Sequence, residues 1–427
     1  MPDSTALPPA RFRRAADLTA FRLGRAILAY LASITLIITL APFRFAPAPV
    51  HGLTSLWDWS DLVMNIVMFV PIGFMYQLTR PVGAPVGWAR VTLLAAALSG
   101  TIEVAQLFEA TRYTSLFDLV TNTGGAVIGA WVCAAAIRRI EGPRSVRTLA
   151  LELPLMGLVY LLIPLLWLAG LAGGDTRRDW LVLLIVAFGA GVIGTVYVAY
   201  IEPTRRLHRG WLLAAALVWY IVGMLPGGIR QSDVLLGGVA VALGVCWLAS
   251  LSTSRRMERG EARRFEIPTL RTLLPLLAAH LALSSLWPLD GADMQWVGMW
   301  ALLPDVESPT SLVFVALEHV AAFTVVGYIV AEFHGRDREH YREIAWPVIG
   351  WGTGLSVLLE LVRGFHPAYR ASVPMVLFTV GAAAFGGRLY QLQRDHVRAL
   401  LTRRTSSAVG RDAATSSGRD VPGLSSL

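Results

Sequence analysis

The segments SDLVMNIVMFVPIGF (residues 60–74) and SGTIEVAQLFEATRYTSLFDLVTNTGGAVIG (residues 99–129) set polar residues into apolar runs at helical spacing. Asp61 and Asn65 are four apart, Glu103 and Gln106 three apart, and Asp118 and Asn122 four apart. Each pair therefore shares one face of its helix. Ionisable or amide groups in a membrane span are costly unless they are buried in the bundle and paired. Three such pairs on three successive spans predict one shared polar site.

Composition agrees with a membrane setting. Of 427 residues, 55% are hydrophobic and only 15% charged, with a mean hydropathy of +0.56, which no soluble domain of this size shows. All 37 basic residues are Arg. They sit in short loops between apolar runs, so the net charge of +8 reflects topology and not nucleic-acid binding. The two cysteines, Cys133 and Cys246, lie within apolar spans and support neither a disulfide framework nor a thiolate metal site.

A span needs about 20 apolar residues. That rule predicts twelve, near 22–42, 61–79, 88–107, 117–138, 148–171, 179–201, 210–226, 232–251, 270–287, 309–331, 345–362 and 372–391. With both termini in the cytoplasm, only Arg44, Arg112, Arg177, Arg178, Arg230, Arg363 and Arg370 fall outside. The expected fold is an all-α polytopic membrane protein of about 12 transmembrane helices in three four-helix blocks. Those blocks are 1–145, 146–260 and 261–400, followed by a Ser/Gly/Ala/Arg-rich tail, 401–427, expected to be disordered in the cytoplasm. In this topology Asp61, Glu103, Arg112 and Asp118 all meet at the extracytoplasmic edge.

An offset of 257 matches Ser99 with Ser356, Glu103 with Glu360, Ser115 with Ser372 and Gly129 with Gly386, and sets Asp61 against Glu318. The first and last blocks are thus expected to be parallel copies. A weaker offset of 115 sets Asp118 on Asp233, so the middle block reads as a decayed third copy. Pro71 is expected to bend the second span, the glycines to serve close helix packing, and the tryptophans to form an interfacial belt. DMQWVGMWALLPD (residues 293–305) is expected to roof the last block, and His280 to make a packing hydrogen bond. The cytoplasmic halves read as almost purely apolar.

At these residues the chain resembles the VanZ-like family. The resemblance rests on Asp61, Asn65, Phe69, Pro71 and Gly73 on one span and Ile102, Glu103 and Gln106 on the next. Arg112 in the outer loop follows, then Asp118, Asn122 and Gly125. It covers about 55–140 well and 310–390 at a lower level. There Gln106 aligns with Arg363, Asp118 with Met375 and Asn122 with Thr379, while Glu360 remains and Arg370 lies beside the position matching Arg112. The resemblance implies a bacterial plasma-membrane protein of a family named for teicoplanin resistance; it supplies no reaction and no cofactor.

The candidate binding residues are Asp61, Asn65, Glu103, Gln106, Arg112, Asp118 and Asn122, with Glu318, Glu360, Arg363 and Arg370 as a weaker second set. The oxygen-rich set could hold a divalent cation and through it a lipid pyrophosphate. Arg112 with Glu103 or Asp118 could instead recognise an anionic headgroup or glycan. All of these groups could also simply lock helices together. No nucleophile–base pair or metal-ligand spacing appears, which argues against catalysis and against a bound metal. The expected partners are membrane lipids or lipid-linked envelope precursors, bound at an outward-facing site of the bacterial plasma membrane and affecting envelope properties or glycopeptide resistance. A secondary transporter or flippase is the alternative, and an intramembrane lipid-phosphate enzyme a further one; oligomeric state is not legible.

Overall fold

A computed structural model describes residues 9–50, 53–54, 59–80, 85–112, 114–139, 154–173, 177–201, 209–229, 231–259, 266–289, 295–300, 310–335, 341–367 and 369–417. In lipid every backbone polar group needs an internal partner, so long apolar runs must become helices. Among the described residues they form twelve. The first block holds α1 (Pro9–Leu40), α2 (Trp59–Leu78), α3 (Trp88–Gln106) and α4 (Leu116–Arg139). The middle block holds α5 (Pro154–Leu171), α6 (Val182–Val196), α7 (Arg209–Met224) and α8 (Ser232–Glu258). The last holds α9 (Glu266–Ser285), α10 (Thr310–Gly335), α11 (Tyr341–Arg363) and α12 (Val373–Ser417). Eleven helices are long and apolar enough to cross a membrane. The exception is α5, whose apolar stretch Leu155–Leu171 is shorter than the span expected there, 148–171, of which the first six residues lie outside the described ones.

In each block the second and fourth helices make the most extensive pairing. Small residues permit it. A Cβ on Gly125 or Gly129 of α4 would overlap the backbone carbonyl of Ile66 or Val70 on α2, and one on Gly73 would overlap that of Ala126. In the same way, Gly194 of α6 sits on the Cys246 carbonyl of α8, Gly327 of α10 on that of Ala383, and Gly386 of α12 on that of Thr324. Such backbone-to-backbone approach is the usual route to helix association in lipid. Pro71 stands inside α2 without ending it.

Two short parallel ribbons lie where helices turn. β1 (Leu53–Thr54) pairs with β2 (Thr114–Ser115) before α4, and β3 (Gly298–Met299) with β4 (Ala371–Ser372) before α12. Trp296 N–H donates to the Leu361 carbonyl at 3.2 Å, so residues 295–300 do cover the end of α11; residues 290–294 and 301–309 lie outside the described ones. Trp59 and Trp300, 68% and 82% exposed, flank this end of the bundle as an interfacial belt requires.

Three expectations change. The chain stays helical to Ser417, well into the segment expected to be disordered from 401, while 418–427 lie outside the described residues. Composition spoke only to the absence of a buried face; extending a helix already started by α12 adds one hydrogen bond per residue without a new nucleus. The opposite end of the bundle is not purely apolar either. Tyr328, Glu332, Gln393 and Arg394 are buried there, with Tyr328 hydroxyl donating to Gln393 Oε1 and Arg394 to the Gly335 carbonyl at 2.8 Å.

The third change concerns register. The helix contacts put Gly327 in the place of Gly73 and Thr324 in that of Val70, so α10 is displaced from α2 by 254 residues (73 to 327, 70 to 324). The partners on α12 and α4, Ala383 with Ala126 and Gly386 with Gly129, keep the 257 offset (126 to 383, 129 to 386). Glu318 therefore stands at the position of Met64, not of Asp61, and His319 stands at that of Asn65. The apolar residues of these helices carry no register information, which hid a slip of nearly one turn.

Candidate functional site

The site lies where α1 ends, α2 begins, α3 ends and α4 begins. Glu103, on the last turn of α3, is buried, and its Oε2 accepts the Ser115 N–H at 2.8 Å; Thr114 Oγ1 donates to the Glu103 backbone carbonyl at 3.2 Å. The β2 ribbon is thereby tied back onto the helix that precedes it. Asp118, half-buried on the first turn of α4, accepts a hydrogen bond from the Asn65 side chain, and it shares an electrostatic field with Glu103 and with the exposed Asp61. Asn122 is buried one turn further, its Nδ2 donating to Ser99 Oγ of α3 at 3.0 Å.

Gln106 and Arg112 face α1. Gln106 Nε2 donates to the Thr39 carbonyl at 3.0 Å. Arg112 spends Nε on the Ala41 carbonyl at 3.4 Å and Nη2 on those of Ile38 and Ala41, both at 3.3 Å. It thus closes the carbonyl end of α1, where a cation is favoured. Burial draws its guanidinium below the usual value, and the carboxylates of Glu109 and Asp61 pull it back up. The structure therefore brings all seven predicted residues to one end of the first block, but gives Arg112 a structural task.

Sequence reasoning missed Glu109. It is fully buried, its Oε1 accepting the Arg44 N–H at 3.2 Å and its Oε2 the N–H and hydroxyl of Thr111 at 2.7 and 2.8 Å. With the antiparallel bridge Phe45–Glu109 and the bonds from Ala46 N to Phe108 O and Ala110 N to Arg44 O, it fastens the 43–50 loop over the site. A carboxylate three residues before Arg112 in the short loop between α3 and α4 was the available signal.

The family model described as VanZ/LLP1 matches residues 16–139. Residues 16–139 form a VanZ-like unit of a polytopic membrane protein. The match takes in α1 from residue 16, all of α2 to α4 and every residue of the site just described; neither the curated proteins nor the solved structures gave a match.

Beyond the VanZ-like unit, the last block reproduces part of its geometry. Glu360 Oε2 accepts the Ser372 N–H at 2.8 Å, as Glu103 does that of Ser115. Ser356 and Thr379 hydroxyls bond at 2.6 Å where the VanZ-like unit has Ser99 and Asn122. The remainder differs. Arg363, at the position of Gln106, donates to Glu360 Oε1 at 2.9 Å and lies with its Cζ 4.6 Å from the Tyr369 ring centroid. Arg370 is exposed and joins none of these contacts.

Glu318, offered by the sequence as a counterpart of Asp61, belongs to another network. It is buried against Arg178, at 2.6 Å, from the short turn before α6, and against His280 Nε2 of α9 at 3.0 Å. His280 Nδ1 faces the Leu181 carbonyl at 3.2 Å, the packing role expected of it. His319 bonds Ser285 Oγ and the Val315 carbonyl, each at 2.7 Å. This cluster joins the middle block to the last one, and its Arg was read from sequence only as one of the few outer arginines.

Proposed function

We propose that the polar site of the VanZ-like unit binds an envelope lipid, a lipid-linked precursor or another surface ligand at the outer leaflet of a bacterial plasma membrane, and thereby alters envelope properties such as susceptibility to teicoplanin-type glycopeptides. The arginine bias toward one side of the membrane supports the outward orientation. The family resemblance supports the physiological setting.

One observation carries the reading. The buried Gln106 Oε1 and Asn122 Oδ1 have no hydrogen-bond partner, and Glu103 receives a single donor, among the described residues. A helix lock satisfies its own polar groups; a binding site leaves them for its ligand. The surface beside them is suited to acyl chains, since Val104, Leu116, Phe117 and Val120 are all exposed apolar residues at this end of α3 and α4. A transport reading draws on the buried Tyr328, Glu332, Gln393 and Arg394 at the opposite end, but these lie on α10 and α12, away from the site.

The test is native mass spectrometry of co-purified lipids from wild type and Glu103→Gln. The expected result is a lipid species retained by wild type and depleted about tenfold in a folded Glu103→Gln protein, the scale of one charge-assisted hydrogen bond. Identical lipid profiles at equal thermal stability would remove the site from consideration.

A further inference from the structure

The VanZ-like unit and the last block place the same carboxylate on the same ribbon but satisfy it differently. Glu360 has both oxygens engaged inside the protein, one by the Ser372 N–H and one by the Arg363 guanidinium. Glu103 has the ribbon N–H of Ser115 on Oε2, and no described residue donates to Oε1. Gln106, where the last block has Arg363, turns its Nε2 toward the Thr39 carbonyl. A carbonyl accepts only, so the amide orientation is fixed and Gln106 Oε1 is left as an acceptor in a side chain 8% exposed. Asn122 Oδ1, in a side chain 2% exposed, is a further acceptor without a donor.

Acceptors without donors in a buried site are costly. The local charge points the same way. Asp118 acts on Glu103 and Asp61 on Asp118, while Arg112, which Glu109 and Asp61 face, is spent largely on the end of α1. An anionic headgroup would meet mainly carboxylates. A caged metal ion is not suited either, since no three His, Cys, Asp or Glu side chains converge to ligand distance among the described residues.

Building on the functional reading above, we propose that the ligand of the VanZ-like unit presents an ammonium group to Glu103 and Gln106, in the place that the Arg363 guanidinium fills in the last block. An ammonium offers three donors and a positive charge, which is what the two acceptors and the surrounding carboxylates lack. Two sources share this chemistry: an aminophospholipid headgroup and a soluble amine such as an amino sugar.

The experiment is a thermal-shift titration of the full-length protein in detergent with phosphatidylethanolamine, phosphatidylglycerol and glucosamine. Wild type is expected to be stabilised by phosphatidylethanolamine and not by phosphatidylglycerol; stabilisation by glucosamine instead assigns the soluble source. Gln106→Arg, which installs the pair seen at Glu360, is expected to raise the melting temperature of the free protein and to weaken the amine response at least about tenfold. Should that variant not fold, Gln106→Met is expected to weaken the amine response several-fold.

Undiminished amine binding in either folded variant overturns the proposal, as does the absence of a response to all three probes. A response to phosphatidylglycerol alone that disappears in Glu103→Gln overturns the ammonium assignment and leaves the binding site standing. Probe responses that Glu103→Gln does not alter overturn both.

Discussion

Arg178→Ala is expected to destabilise the protein by about 3–5 kcal/mol, because it strands a buried carboxylate. Glu318 is 2% exposed and Arg178 6% exposed, and their 2.6 Å contact joins the turn before α6 to the third turn of α10. The remaining contact of Glu318, to His280, does not replace a permanently charged guanidinium. A second variant separates the value of the pair from the cost of breaking it. Arg178→Met with Glu318→Leu removes both charges and should recover most of the lost stability, since buried ion pairs often trade evenly with apolar residues. Thermal unfolding of the three proteins checks this; a single variant that melts like wild type would mean that the blocks are not held together here.

Gly129→Leu is expected to cost about 3 kcal/mol or more, by driving α4 away from α2. A Cβ at Gly129 already overlaps the Val70 carbonyl, which cannot rotate aside as a side chain would. Gly124→Leu is the matched control, because a Cβ at Gly124 meets nothing within 4 Å. The difference in melting temperature between the two variants measures the backbone contact. Equal effects would indicate that both positions answer only to helix propensity. Since α2 carries Asn65 and α4 carries Asp118, Gly129→Leu should also loosen the site, whereas Gly124→Leu should not.

The helices were legible because lipid leaves an apolar segment no other way to satisfy its backbone, and the spacing of apolar runs reports that directly. The three polar pairs were legible for the complementary reason: Asp61, Glu103 and Asp118 are conspicuous in such runs, and alternate threading places them at one end. Their partners were less so. Glu109 sits in a loop, where a carboxylate attracts no notice, yet it is wholly buried under the 43–50 segment. Arg178 was counted as a topological charge, and nothing in its surroundings along the chain names Glu318, 140 residues away, as its partner. For Arg112 the sequence shows a guanidinium in a loop between carboxylates, which suggests an anion site, and only its distances to the carbonyls of Ile38 and Ala41 show that it also closes a helix. The α10 register failed because Val, Ala and Phe runs match themselves at several offsets, while the glycine contacts do not.

On the proposal above, the VanZ-like unit holds an external ligand at Glu103 while the last block is closed upon itself at Glu360. An experimental density map of the protein purified with native lipids tests it most directly. Non-protein density is expected within hydrogen-bond distance of Glu103 Oε1 and Gln106 Oε1, and none at Glu360, where Arg363 occupies the place. A map in which a protein side chain donates to Glu103 Oε1, with no density beyond it, would show that the VanZ-like unit is closed upon itself as the last block is.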